Sequence, residues 1–338
     1  MGGTVKTNRN GTGPTNVVLI NRHRDRTGLD NPLISTVCSP RRCAMDIGIL
    51  SRNKDLYSTR KLINTARDLG HTVQWMNTLK CSLVVDGGEF RVLYGEKDRS
   101  DLDVVLTRIG TNVTEYGVAV AHHFESMGVL VINSAGSIYN SRDKFRSLQV
   151  LQGAGIPVPK TVLARSPDAV FQAIRLVGGT PVILKMNQGT QGAGVMFADN
   201  LNTVESVLEA LWEFGANIQI QKFIAESRGK DIRAFVVGGQ VVAAMRRVAA
   251  GEAFRANIHQ GGQGIPLELD SVQEKMAVKT AKVLGLKIAG VDLLESTSGP
   301  VVIEANSTPG FEGLERATGK DIARPMIEYL IEQARREK

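Results

Sequence analysis

Gly290-Val291-Asp292-Leu293-Leu294, a short gap, and then Val301-Val302-Ile303-Glu304-Ala305-Asn306-Ser307-Thr308-Pro309-Gly310 form the stretch on which the reading of this chain turns. Each half is a short run of β-branched and aliphatic residues, and Ser298-Gly299-Pro300 between them is a turn signal, so the pair predicts a β-hairpin. Glu304 and Asn306 are two apart in a strand and leave the same face. If Asp292 pairs onto that face, three hard oxygen donors converge where a small divalent ion such as Mg²⁺ could bridge to phosphate oxygens. The plainer alternative is a solvated strand face with scattered acids. The unbroken Val301-Val302-Ile303 run points instead to a strand buried on both faces, where a carboxylate needs a partner or a metal.

The totals bound the rest. A chain of 338 residues with 35 glycines and otherwise ordinary globular composition is long enough for two or three cores. No apolar run approaches the ~20 residues that span a bilayer, and no signal-peptide core follows the first residue. Three cysteines (Cys38, Cys43 and Cys81) without framework spacing argue for a reducing, cytoplasmic setting rather than for disulfides. The cysteines and five scattered histidines lack zinc-site spacing. The net charge of +7 is concentrated in residues 1–44, where Lys6, Arg9, Arg22, Arg24, Arg26, Arg41 and Arg42 face only Asp25 and Asp30. The folded body therefore carries little excess charge, and no direct nucleic-acid contact is expected of it.

Residues 1–44, rich in Gly, Asn, Thr, Pro and Arg, read as a basic, disordered extension. Met45 as the true start, a basic arm that contacts RNA and an organelle-targeting peptide all stand as accounts of it. From 45 to 139 strands and helices alternate: Asp46–Leu50, the helix Ser58–Leu69 stopped by Gly70, Thr72–Met76, a hairpin across Gly87-Gly88, Leu102–Thr107 ending at Arg108, the helix Tyr116–Met127, and Val129–Ile132. That rhythm predicts βαβ units around a mostly parallel sheet. A helix over Ser141–Leu151, with Ser141 as its N-cap, follows.

Asn187-Gln188-Gly189-Thr190-Gln191-Gly192-Ala193-Gly194, between the strands Thr180–Lys185 and Val195–Ala198, is either a turn or a glycine loop whose amides wrap a polyphosphate, with Lys185 supplying a point charge. It is neither a Walker A loop nor a dinucleotide fingerprint. The strand Asn217–Ile224, the hairpin Arg233–Val237/Gln240–Arg247 and the stretch to Gly262 bring arginines together, either as an anion pocket or as a solvated basic edge. Helices over Ser271–Leu284 and Asp321–Arg336 complete the chain.

Taken in order, Ile49–Arg52, Thr107–Gly110, Arg142-Asp143-Lys144, Lys185–Gly194, Gln221–Ile224, Asp231–Arg233, Phe254–Gly262, Gly290–Asp292 and Glu304–Gly310 resemble the ATP-grasp carboxylate–amine ligases of the RimK type, from Met45 to the C-terminus. The resemblance implies an α/β and α+β chain: an N-terminal mononucleotide-binding-like (pre-ATP-grasp) domain over 45–139, an ATP-grasp lid subdomain over 140–224 and a catalytic subdomain over 225–338. It implies ATP bound by Lys144, Lys185, Gly189, Thr190, Gln191, Gly192, Lys222, Phe223, Asp231, Arg255, Ala256 and Asn257. Two Mg²⁺ or Mn²⁺ ions would sit on Asp292, Glu304 and Asn306, with Glu304 bridging, and Arg255, Lys185 and Arg233 would form the catalytic set. Lys222 departs from the family pattern, which has an acid beside Gln221.

The resemblance further implies that glutamate is joined, through an acyl phosphate, to the acidic C-terminal tail of a small-subunit ribosomal protein or to poly-α-glutamate. Arg108, Arg142, Arg246 and Arg247 would help bind that anionic acceptor, and a homo-oligomer is expected. A ligase adding glutamate to a coenzyme tail of the methanopterin or deazaflavin type is the alternative within the class. A ribosome- or RNA-binding protein with a regulatory ATP site is the rival from outside it. The full set Lys185, Arg255, Asp292, Glu304 and Asn306 argues against that rival.

Overall fold

The computed structural model describes residues 44–186, 194–212, 217–251 and 262–337; every element below lies in the unit Asp46–Lys338. The extension 1–44 therefore lies outside the described residues, apart from Ala44.

Strand β1 (Asp46–Ser51) is buried along nearly its whole length because both of its faces are covered. With β2 (Thr72–Met76), β6 (Val104–Arg108) and β7 (Leu130–Ile132) it makes a parallel sheet in the order β2-β1-β6-β7. Helix α1 (Tyr57–Asp68) returns the chain from β1 to β2 and buries Leu62, Ile63 and Ala66. Helix α2 (Thr114–Ser126) buries Val120, Ala121 and Phe124 between β6 and β7. A side sheet of β3 (Cys81–Asp86), β4 (Glu89–Tyr94) and β5 (Lys97–Asp98) is antiparallel, with the expected turn at Gly87-Gly88. Ser51 and Arg108 are register partners at the C-terminal edge of the parallel sheet, the edge where open α/β sheets bind ligands.

The single helix expected from Ser141 is two. Helix α3 (Ala135–Arg142) ends at Asp143, whose extended ψ of 107° breaks the run before α4 (Lys144–Gly153). Asp143 is the N-cap, accepting from the Arg146 amide at 2.9 Å, while Ser141 lies inside α3 and donates to the Ile138 carbonyl. Both residue types cap helices well, and the periodicity continues through both, so pattern alone selected the wrong one.

Two antiparallel sheets follow. The first, in the order β10-β9-β11-β8, consists of β8 (Thr161–Ala164), β9 (Val182–Met186), β10 (Val195–Ala198) and β11 (Ile218–Lys222). Its core joins Val182, Leu184 and Ile218 to Ile174 of α5 (Val170–Val177) and to Val204 and Leu208 of α6 (Leu201–Trp212). The second, in the order β14-β13-β12-β15-β16, consists of β12 (Lys230–Val237), β13 (Gln240–Val248), β14 (Gln263–Pro266), β15 (Ile288–Leu294) and β16 (Val301–Asn306). Helix α7 (Ser271–Val283) covers it, started by a capping box in which Asp270 Oδ1 accepts from the Val272 and Gln273 amides at 2.8 Å each. Helix α4 packs on this same sheet, its Leu151 joining Ile232, Val291 and Val302. Helices α8 (Glu312–Thr318) and α9 (Ala323–Glu337) close the chain, with α9 lying along α1.

The β15–β16 hairpin forms as expected, with Asp292 opposite Glu304 and Gly290 opposite Asn306. Burial on both faces ends early: Val301 and Val302 are buried, whereas Glu304 is exposed. Gly290 is required here, because a Cβ on it would stand 2.8 Å from Pro309 in the loop that follows Asn306. Among the described residues no helix is long and apolar enough to cross a membrane.

Candidate active site

The sheet edge at Ser51 and Arg108, the sheet of β8–β11 and the sheet of β12–β16 enclose a cavity of about 560 Å³. Its floor is the hairpin. Glu304 and Asn306 leave one face of β16, and Asp292 stands across from Glu304 on β15.

Asp292 does not wait empty for a partner. Arg233, its register partner on β12, donates Nε to Oδ1 at 2.7 Å and Nη2 to Oδ2 at 2.6 Å. Arg247 from β13 adds Nη2 to Oδ2 at 2.8 Å, and its guanidinium also forks onto Asp231. Burial works against the Asp292 charge, but Arg233 and Arg247 outweigh it and hold the carboxyl below its usual range. Asp292 and Asp231 likewise keep Arg247 charged against burial. Asp231, which the resemblance assigned to nucleotide, lines the cavity with its carboxylate turned to Arg247.

Arg246 corrects the expected substrate set. Neighbours in a strand face opposite ways, so Arg246 is not among the cavity's lining residues and pairs with the half-exposed Glu295 at 3.0 Å. Arg247 does line the cavity, but its charge is matched by two aspartates. The two arginines lining the cavity that form no ion pair among the described residues are Arg108 and Arg142. Burial, reinforced by the neighbouring Arg142, lowers Arg108 to about 10. Burial also lowers Arg142, partly opposed by Glu304.

Lys185, at the register position opposite Val195 on β10, and Lys144, the first residue of α4, line the same space. Burial brings the Lys185 ammonium down to about 8, although Glu304 and Asp292 pull the other way. Lys222, the last residue of β11, and Phe223 after it also line the cavity, as do the apolar side chains of Ile183, Val195, Met245 and Ile303. The Phe223 ring meets Phe197 edge-on at 5.0 Å. Gly189, Thr190, Gln191, Gly192, Arg255, Ala256 and Asn257 lie outside the described residues.

The donor set fits a magnesium ion that shares its shell with phosphate. Among the described residues no three His, Cys, Asp or Glu side chains could hold a metal by themselves. Mg²⁺ commonly takes only one or two carboxylates and leaves the rest to phosphate and water. Glu304 forms no ion pair among the described residues, and Asn306 Oδ1 accepts only from the Thr308 amide, at 3.1 Å.

Sequence reasoning missed several residues here. Asn133, buried at the end of the parallel sheet, donates to the carbonyls of Ile288 at 2.7 Å and Ser307 at 2.9 Å. Its Oδ1 accepts from the amides of Lys287 at 2.7 Å and Ile288 at 3.0 Å. It thereby ties the first domain to both strands at the open end of the β15–β16 hairpin. Glu315 takes the Tyr57 hydroxyl and Lys61, and Phe311 packs on Tyr57. These contacts join segments more than 100 residues apart, and no local pattern announces them.

A basic cavity with an acid floor, held between two antiparallel sheets behind a parallel-sheet domain, is the architecture of an ATP-grasp enzyme. A model of the RimK-like ATP-grasp domain matches residues 141–330, and one of the RimK pre-ATP-grasp domain matches residues 45–138. Relatives include a "Probable alpha-L-glutamate ligase" of Rhodopirellula baltica, 48% identical over 86% of this chain and 71% of the relative. A second, "Probable alpha-L-glutamate ligase 2" of Pseudoalteromonas atlantica, is 46% identical over 86% and 97%. Among solved structures, the ATP-grasp ligase PsnB complexed with its minimal precursor, Mg and ADP is 23% identical, with a TM-score of 0.67 over 86% of this chain and 98% of that one. A RimK domain ATP-grasp protein from Sphaerobacter thermophilus is 23% identical, with a TM-score of 0.65 over 84% and 99%. The chain belongs to the RimK family of ATP-grasp proteins, and it is an ATP-dependent ligase joining an acid to an amino acid.

Proposed function

We propose that the enzyme activates a C-terminal carboxylate as an acyl phosphate and joins it to the amino group of glutamate. The acidic tail of a small-subunit ribosomal protein, or a growing poly-α-glutamate chain, is the acceptor. The observation that carries this is the pair Arg108 and Arg142. Arg108 is buried and Arg142 half-buried in the cavity, and neither forms an ion pair among the described residues, which suits a substrate that is itself an anion. The names of the relatives point to the same chemistry.

The residues divide the work by position. Phe223 and the apolar side chains lining the cavity suit adenine, while Lys144 and Lys185 face the phosphates as cations. Asp292, Glu304 and Asn306 would hold two magnesium ions, which supply charge neutralisation at the transferred phosphoryl group. A carboxylate oxygen of the acceptor attacks the γ-phosphorus, and the bond to ADP breaks. The amine of glutamate then attacks the acyl carbon, phosphate leaves with the electron pair of the broken C–O bond, and the amine releases a proton to solvent. Arg233 keeps Asp292 ionised and aimed at the cavity throughout.

Mass spectrometry tests the acceptor. Enzyme, Mg²⁺, ATP and glutamate are incubated with a ribosomal protein ending in glutamate, and separately with α-linked tetraglutamate. Ladders of glutamate residues on either acceptor support the reading. ADP release with unchanged acceptors, or none at all, contradicts it.

A further inference from the structure

Arg108 and Arg142 differ in what surrounds them. Arg142 donates Nη1 to Thr111 Oγ1 at 2.6 Å and Nη2 to the Ile109 carbonyl, and its Nε is buried without a partner. The charge of Glu304 bears on Arg142, partly offsetting its burial. Arg108, only 8% exposed, donates Nη2 to the Pro309 carbonyl at 2.8 Å and sits 6.0 Å from the ring centre of Phe311. Phe311 is also held by α1: its amide donates to Ser58 Oγ at 3.4 Å, and its ring meets that of Tyr57 at 6.2 Å. Tyr57, Ser58 and Thr59 line the cavity, and the first turn of α1 has neither an acid nor a side-chain cap.

Carbonyl oxygens solvate a buried guanidinium without neutralising it. Two such cations in one cavity suit two negative charges, one at Arg142, where the charge of Glu304 is felt, and one at Arg108, against Phe311 and α1. In the ligase reaction proposed above, on which this rests, the carboxylate being activated must lie by Glu304. The α-carboxylate of the incoming amino acid is two bonds from the reacting nitrogen and so lies close by. A carboxylate at the end of that amino acid's side chain is the one that can reach further.

We infer that Arg142 holds the carboxylate under activation, whereas Arg108, with the open first turn of α1, binds the side-chain carboxylate of the incoming amino acid. Arg108 is then the specificity-determining residue that selects a dicarboxylic amino acid. A neutral amide isostere leaves the guanidinium unmatched and is rejected, because a buried charge-assisted hydrogen bond discriminates more strongly than shape does.

The test measures ADP release from the full chain with ATP, Mg²⁺ and N-acetyl-tetra-α-glutamate, and with L-glutamate, L-glutamine or hydroxylamine as the amine. Hydroxylamine traps an acyl phosphate without needing a carboxylate site, so it reports activation alone. The expected results are a kcat/KM for glutamate at least about 100-fold above that for glutamine, and an Arg108→Met variant in which the ratio of glutamate to hydroxylamine turnover falls by about 30-fold or more. Arg142→Met lowers the hydroxylamine reaction itself. Equal use of glutamine and glutamate by the unmodified enzyme overturns the inference, as does an Arg108→Met variant that loses both amines in equal measure. If Arg108→Met does not fold, Arg108→Lys keeps the charge but loses the fork. A fall in its glutamate-to-hydroxylamine ratio supports the assignment, and an unchanged ratio overturns it. Absence of hydroxylamine-dependent ADP release in the unmodified enzyme is a different result: it removes the ligase reading, and this inference with it.

Discussion

Arg233 and Asp292 face each other as register partners on β12 and β15, joined through two hydrogen bonds of 2.7 and 2.6 Å. The aspartate on the cavity floor is thus held ionised and in place by an arginine. Arg247 completes the arrangement by spanning Asp292 and Asp231.

Adjacent arginines on β13 should behave in opposite ways. Arg247→Ala takes the forked partner of the largely buried Asp231 and one of the two arginines on Asp292, and should cost on the order of 3 kcal/mol in denaturant unfolding. Arg246→Ala removes a half-exposed pair with Glu295 and should move stability by no more than about 0.5 kcal/mol. Because Arg246 stands off the cavity, acceptor KM should be unchanged by that substitution.

Nucleotide affinity should weaken as pH rises through about 8. The Lys185 ammonium is depressed to that value by burial, and phosphate oxygens bind its protonated form. The free enzyme therefore loses the charge across pH 8, well below the ordinary lysine range. KM for ATP should rise between pH 7 and 9, and Lys185→Arg, charged throughout, should flatten the profile.

Asn133→Ala leaves two backbone carbonyls and two backbone amides of the hairpin region without their partner. Unmatched buried polar groups cost about 1–3 kcal/mol each, so the variant should lose roughly 3 kcal/mol or more. Turnover should fall with stability, since Ser307 directly follows Asn306, which lines the cavity and is proposed to hold the metal.

Glu304→Gln separates catalysis from folding. Its side chain makes no ion pair among the described residues, so the melting temperature should hold while kcat falls at least about 100-fold. Mn²⁺ affinity, read by electron paramagnetic resonance with ADP present, should fall with it.

Much of this arrangement was legible because its cues are local. Ser298-Gly299-Pro300 marks the turn between β15 and β16, and period-2 spacing places Glu304 and Asn306 on one face. The βαβ rhythm from Asp46 to Ile132 likewise follows from apolar runs broken by glycine. What escaped was of two kinds. Arg246 and Arg247 were grouped because they are adjacent, although strand alternation already implied opposite faces. The Arg233–Asp292 and Arg247–Asp231 pairs, and the four bonds of Asn133, depend on which strands and loops become neighbours. The spacing of residues along the chain does not encode that. Short elements such as β5, β14 and α8 carry too few residues for a period to declare itself.

In the proposed reaction a substrate carboxylate is phosphorylated over the Asp292–Glu304–Asn306 floor before an amine attacks it. Labelling the reactive carboxylate of the acceptor with ¹⁸O and analysing the released phosphate by mass spectrometry tests this most directly. One ¹⁸O should pass into phosphate for each glutamate joined. Phosphate free of the label, with all its new oxygen drawn from water, would contradict it.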